Sequence, residues 1–191
     1  MEIKNVKTIL MMGKTGSGKG MQAGLLSKET GYKIFSSGDK FRELRQREDW
    51  LGERVREEYD QGLLMPHWFA SYIFEEALFG VKPEDGLIFE GTGRKKSEAE
   101  LFNEVVTWLH REYLVFDIQV SDEEVLKRLQ LRGRSDGLDA NVEKIKFRLD
   151  EYRKHTGPAI ALFKSYGRVV EINGEQTPEA VHTDIVKALG L

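Results

Sequence analysis

Eight consecutive residues, Gly13-Lys14-Thr15-Gly16-Ser17-Gly18-Lys19-Gly20, have the types and spacing of a loop that cradles phosphate. Glycines let consecutive backbone N–H groups turn toward one anion, where a side chain would crowd it. Lys19 supplies a mobile point charge for outer phosphates. Gly20 stands where most such loops carry the Ser or Thr that binds Mg²⁺.

Such a loop needs particular neighbours. The apolar run Thr8-Ile9-Leu10-Met11-Met12 precedes it and the helical pattern Met21-Gln22-Ala23-Gly24-Leu25-Leu26 follows. Strand, glycine-rich loop, helix is the context in which the motif binds phosphate, because the helix adds unsatisfied N–H groups and the positive end of its dipole.

The rest of the chain repeats this alternation. Apolar runs at residues 7–12, 33–36, 86–90, 113–120 and 168–173 read as strands, several continuous enough to be covered on both faces. Ser121-Asp122-Glu123-Glu124 reads as a capping box with Glu124 reaching back, and Val125, Leu126, Leu129 and Leu131 as the buried stripe behind it. Thr177-Pro178 is a second helix start. Residues 141–163 read as one helix, bent where Pro158 removes a donor. The pattern predicts an α/β fold: a doubly wound, five-stranded parallel sheet flanked by helices. Two excursions interrupt it. Residues 38–78 hold three helical stretches with turns near Trp50-Leu51 and at residues 62–66, and residues 133–140 form a short polar loop between two helices.

The 191 residues suit one domain, and 40% hydrophobic with 32% charged residues reads as a globular protein. A net charge of −3 argues against a nucleic-acid partner. No apolar run approaches the ~18 residues of a membrane span. There is no cysteine, which excludes disulfides, thiol catalysis and Cys-based zinc sites. Residues 1–5 lack the apolar core of a secretory leader, so a cytoplasmic enzyme is expected. His67, His110, His155 and His182 form no metal-spaced pair. Trp50, Trp68 and Trp108 lack the basic interleaving of an RNA-binding face and are expected in the core or a cleft.

With these elements placed, the chain resembles the adenylate kinase family of nucleoside monophosphate kinases, from its first strand to its last helix. Gly16-Ser17-Gly18-Lys19-Gly20 is similar to the family's G-S-G-K-G-T, with Met21 in place of the Thr. Ser36-Ser37-Gly38-Asp39-Lys40-Phe41-Arg42 resembles S-T-G-D-x-x-R, which implies Ser37 near the acceptor base and Arg42 on the acceptor phosphate. Gly62-Leu63-Leu64-Met65-Pro66 resembles G-x-L-V-P, whose backbone cradles that base; Leu63 and Met65 read equally well as core. Glu90-Gly91-Thr92-Gly93-Arg94 stands where the family has D-G-F-P-R, implying that Arg94 grips the acceptor phosphate and that Glu90 replaces an Asp linked to Mg²⁺ through water. Arg128, Arg132 and Arg134, with Asp136, resemble the start of a short lid, although Gly137 takes the place of its second acid and Asp139 follows downstream. Arg148 matches the next catalytic arginine, and Gln176 falls where the backbone touches the donor adenine.

The resemblance implies transfer of the γ-phosphate of ATP to AMP, with Mg²⁺, by a monomer. Lys19, Arg94, Arg132, Arg134 and Arg148 would be catalytic. Residues 16–21 with Arg128, Arg132 and Gln176 would bind ATP. Ser37, Arg42, Leu63, Leu64, Met65, Gly91, Arg94, Glu98, Arg134 and Arg148 would bind the monophosphate. Residues 38–66 would form the acceptor-binding insertion and 133–140 the lid. The arginines would repel one another without an anion between them; the alternative is pairing with neighbours such as Glu124.

Glu98 is the departure with most consequence, since the family carries a Gln there that reads the acceptor adenine. Gln donates and accepts, whereas an ionised Glu only accepts. Adenine offers an amino donor beside a ring acceptor; guanine offers two adjacent donors. An acceptor other than AMP (GMP, CMP, UMP or a deoxynucleotide) therefore stays open, as does Glu98 as a plain helix cap. Met21, Glu90 and Gly137 leave open a nucleotide-binding module with little transferase activity.

Overall fold

The computed structural model describes residues 6–132 and 141–191. Five strands, β1 (Thr8–Gly13), β2 (Lys33–Ser36), β3 (Leu87–Glu90), β4 (Tyr113–Gln119) and β5 (Val169–Asn173), form one sheet in the order β2-β3-β1-β4-β5. Every neighbouring pair is parallel. Ile9, Leu10 and Met11 are completely buried in the central strand, because helices cover both faces. The pleat sends Leu10, Phe89 and Val115 to one side, with Phe102 and Phe163, and Ile9, Met11, Ile88 and Phe116 to the other, with Leu26 and Ile185.

Helix α1 (Lys19–Thr30) leaves β1, and α2 (Ser37–Arg45), α3 (Trp50–Tyr59) and α4 (His67–Phe79) separate β2 from β3. Phe41, Leu44, Val55, Tyr59, Met65 and Ile73 give these three helices a small core of their own. The first turn of this excursion ends at Asp49, just ahead of Trp50-Leu51. Asp49 is the N-cap, accepting the Gly52 N–H at 3.0 Å, so Trp50 already begins the helix.

Beyond β3 come α5 (Lys96–Trp108), then β4 and α6 (Asp122–Arg132). The capping box at Ser121 is half formed. The Glu124 N–H donates to Ser121 Oγ at 3.3 Å, but the Ser121 N–H goes to Glu175 at 2.7 Å, and the Glu124 carboxylate turns to Arg128 instead. The buried stripe ends at Leu129; Leu131 is 81% exposed. The long helix after Asn141 is three pieces: α7 (Val142–Glu151), a π-helical turn (Tyr152–Thr156) and α8 (Gly157–Ser165). Pro158 has no N–H for the carbonyl four residues earlier, at Lys154, and the wide turn falls at that carbonyl. Helix α9 (Pro178–Leu189) closes the fold, with Thr177 Oγ1 accepting the Ala180 N–H at 3.3 Å.

Trp50, Trp68 and Trp108 are 73%, 65% and 73% exposed, so they belong to neither core nor cleft. Large apolar side chains are common on surfaces, and residue type alone did not place these. Among the described residues, no helix is long and apolar enough to cross a membrane.

Candidate active site

The phosphate loop leaves the carboxyl end of β1 at the middle of the sheet, where the open crevice of a doubly wound fold lies. Gly13 allows the exit: its φ is +131°, and a Cβ there would stand 2.4 Å from the Ile118 carbonyl oxygen of β4. Gly18 caps α1 with no side-chain bond to the helix. The first-turn N–H groups are thus not capped by a neighbouring side chain. Lys19 is buried, its ammonium donating to the Lys14 carbonyl at 2.6 Å and lying 3.5 Å from Ser17 Oγ. Lys14, given no role above, anchors the loop by reaching Val120 O and Asp122, each at 2.7 Å.

The opposite wall comes from the ends of β2 and β3. Glu90 closes β3 and accepts from Ser36 Oγ at 2.9 Å. Burial pushes its carboxyl up, but the charges of Lys19 and Arg94 together with the Ser36 bond outweigh burial and hold it below the ordinary carboxylate value. Ser37 is buried and donates to Gly91 O at 2.8 Å, so its hydroxyl ties α2 to the next loop. Gly91, at φ +84°, admits this approach: a Cβ would stand 2.6 Å from Ser37 Oγ and 2.8 Å from Arg94 Nη2.

Arg42 faces the cleft while pairing with Asp39 and donating to the Tyr59 hydroxyl at 3.4 Å, an engagement the sequence reading did not foresee. Leu63, Leu64 and Met65 line the same wall. Glu98 is 3% exposed in the first turn of α5. It accepts the Arg94 N–H at 2.9 Å, so the carboxylate that lines the cleft is also a helix cap. Burial raises its pKa despite the helpful N–H groups and the charges of Arg94 and Lys95.

Arg128 donates to Glu124 at 2.8 Å and to the Gly174 carbonyl at 2.9 Å, two bonds that fix its guanidinium where it lines the cleft. The pairing with Glu124 weighed from the sequence is therefore present, and Arg128 still lines the cleft. Gln176 lines it too, with its amide donating to Asp184 at 2.8 Å. Arg148 enters from α7. Arg132 ends α6, while Arg134, Asp136, Gly137 and Asp139 lie outside the described residues.

These elements enclose one cavity of about 730 Å³, running from Gly16, Ser17, Gly18, Lys19, Gly20 and Met21 to Glu98. Sequence reasoning missed Tyr59, Thr92 and Tyr152 in its walls and Lys95 behind one of them. Only the G-T-G context of Thr92 hinted at the site; a tyrosine inside an amphipathic helix carries no such mark. Among the described residues, no group of three or more His, Asp or Glu side chains could hold a metal ion unaided.

One crevice brings the phosphate loop together with Arg42, Arg94, Arg128 and Arg148. The family model described as adenylate kinase matches residues 11–168. An adenylate kinase of Thermus thermophilus is 33% identical over 190 residues, covering 97% of this chain and 98% of its own. An adenylate kinase of Phocaeicola vulgatus is 34% identical over 183 residues, covering 95% and 97%. An adenylate kinase 1 of Synechocystis sp. is 31% identical over 182 residues, covering 95% and 96%. A family model over residues 11–168, with relatives above 30% identity covered almost end to end, assigns the chain to the adenylate kinase family.

Proposed function

We propose that this chain is a phosphotransferase that moves the γ-phosphoryl group of ATP to AMP, giving two ADP. The observation that carries the reading is one crevice lined by the Lys19 loop at one end, Arg94 and Glu90 at its middle, and Glu98 with Leu63, Leu64 and Met65 at the other. Two nucleotides laid tail to tail fit that order of groups.

An oxygen of the acceptor phosphate attacks the γ-phosphorus, the bond to the β–γ bridging oxygen breaks, and that oxygen leaves on ADP. The protein need supply little covalent chemistry; positioning and charge stabilisation suffice. Lys19 and the loop N–H groups hold the donor phosphates. Arg42 and Arg94 orient the acceptor, and for Arg42 the phosphate displaces or joins Asp39. Arg128 packs on the donor base near Gln176. Arg148, with Arg132 and Arg134, stabilises charge on the transferred group. On this reading residues 38–66 are the acceptor insertion and 133–140 the lid, whose closure excludes water that would otherwise accept the phosphoryl group.

Mg²⁺ fits this donor set as an ion carried by the phosphates. Such an ion typically takes one or two protein carboxylates, and Glu90, held ionised, would be the residue to hold it. Bound there, it would neutralise phosphate charge. A cytoplasmic monomer is the expected setting.

A second reading keeps the reaction and changes the acceptor. Glu98 is a buried carboxylate where an adenine reader would both donate and accept. A coupled assay over AMP, GMP, CMP, UMP and deoxynucleotides separates the two. The highest kcat/KM with AMP supports the first; a higher value with another monophosphate supports the second. ATP binding without NDP formation from any of them rules out both.

A further inference from the structure

We propose that Lys95 is a positioning residue for the acceptor base, acting by drawing the Leu64 and Met65 carbonyls to itself so that the base meets Glu98 as its principal acceptor. The inference rests on reading the crevice as a nucleoside monophosphate kinase site. Lys95 is the N-cap residue of α5, with extended backbone and no side-chain bond to its own helix. Its ammonium reaches back across the fold instead, donating to Met65 O at 2.9 Å and to Leu64 O at 3.4 Å. Leu64 and Met65 belong to the irregular segment between α3 and α4 that lines the crevice.

Engaging these carbonyls has two effects. A carbonyl that already accepts from a cation is a weaker acceptor for a second donor, such as a nucleobase amino group. The direction of each C=O also sets the plane of its peptide, and hence how Leu64 and Met65 face the crevice. Three residues after Lys95, Glu98 presents its buried carboxylate to the same space. One turn of chain therefore withdraws two acceptors and offers another. The Lys95 charge also favours the ionised form of Glu98. Releasing the ammonium would loosen the joint between α3 and α4 and return two carbonyls to the base.

Calorimetric titration of AMP and of ATP, each alone, into the full chain tests the idea, together with KM and kcat. In Lys95→Met, the AMP dissociation constant and KM are expected to rise about tenfold, while ATP affinity and kcat change less than about twofold. The ratio of kcat/KM values between AMP and CMP should shift as well. Lys95→Arg, which keeps a cation and several donors, should recover most of the loss. An unchanged AMP affinity in Lys95→Met, equal losses for AMP and ATP, or a Lys95→Arg no better than Lys95→Met overturns the proposal. A wild-type chain that binds AMP but makes no NDP from any monophosphate counts against the kinase reading alone, and the titrations then still decide Lys95. One that binds no monophosphate overturns both.

Discussion

Ser36 Oγ donates to Glu90 Oε2 at 2.9 Å, joining the N-cap of α2 to the last residue of β3. The same hydroxyl accepts the Asp39 N–H at 3.2 Å, so one side chain caps the helix that carries Arg42 and fixes the central carboxylate. Glu90→Gln keeps the shape and removes the charge. Burial alone would raise the Glu90 pKa, yet Lys19, Arg94 and Ser36 lower it overall. A depressed native value means stability present above the ordinary carboxylate range and lost as pH falls through the native pKa. Glu90→Gln should therefore narrow the gap between neutral and acid stability, and it should lower kcat/KM at least about tenfold by removing a charge from the centre of the site. Urea melts at several pH values and steady-state assays check both. Unaltered turnover would remove Glu90 from the mechanism.

Lys19 and Arg94 both line the crevice and both act on the Glu90 carboxylate. Lys19→Met and Arg94→Ala should each reduce kcat/KM by about 100-fold or more, the scale on which charge-stabilising groups contribute to phosphoryl transfer. Lys19→Met should weaken ATP, and Arg94→Ala the monophosphate. Circular dichroism checks that the fold persists. Near-normal rates in a folded variant contradict the assigned roles.

Glu98 is buried and its pKa is raised by that burial. Between the ordinary carboxylate value and the raised one, the native chain holds more protons than the unfolded chain. Stability therefore falls as pH rises through that window and stays lower above it. Glu98→Gln can still accept the Arg94 N–H and carries no buried charge. It should gain stability relative to wild type as pH rises above the ordinary carboxylate value. It should also shift kcat/KM toward AMP relative to GMP, because an amide donates as well as accepts. A stability increment that is flat with pH contradicts the electrostatic account, and an unchanged AMP-to-GMP ratio removes Glu98 from base selection.

Thr92 Oγ1 is buried with no hydrogen-bond partner among the described residues. An unsatisfied buried hydroxyl costs about 1–3 kcal/mol. Thr92→Val keeps the branched shape and removes the hydroxyl, so it should stabilise the fold by about 1 kcal/mol. Thermal melts without nucleotide measure this. A lower melting temperature means that the hydroxyl has a partner in solution.

The loop and the strands were legible because their signals are local. All five strands lie within a residue or two of the apolar runs that announce them, and glycine punctuation marks the turn from β1 into α1. The misreadings were local signals overruled by partners outside the pattern, one a turn away and one distant in the chain. Ser121 and Glu124 have the spacing of a capping box, but Glu175 takes the Ser121 N–H and Arg128 takes Glu124. Leu131 continues a helical stripe that its neighbours do not cover. Glu98 shows both sides of this: sequence alone left cap and base reader as alternatives, and in the structure one carboxylate bonds the Arg94 N–H while lining the crevice.

The order of residue types thus determined the architecture, the phosphate loop and the set of charges available for chemistry, since each depends on spacing within a few residues. Only the tertiary structure decided which of those charges meet, that Arg42 reaches Tyr59, that Lys95 reaches the carbonyls of Leu64 and Met65, and that the three tryptophans lie outside. The physical reason is that burial and partnership belong to pairs of surfaces. A side chain's environment is set by whichever distant segment packs on it, and no local pattern encodes that choice.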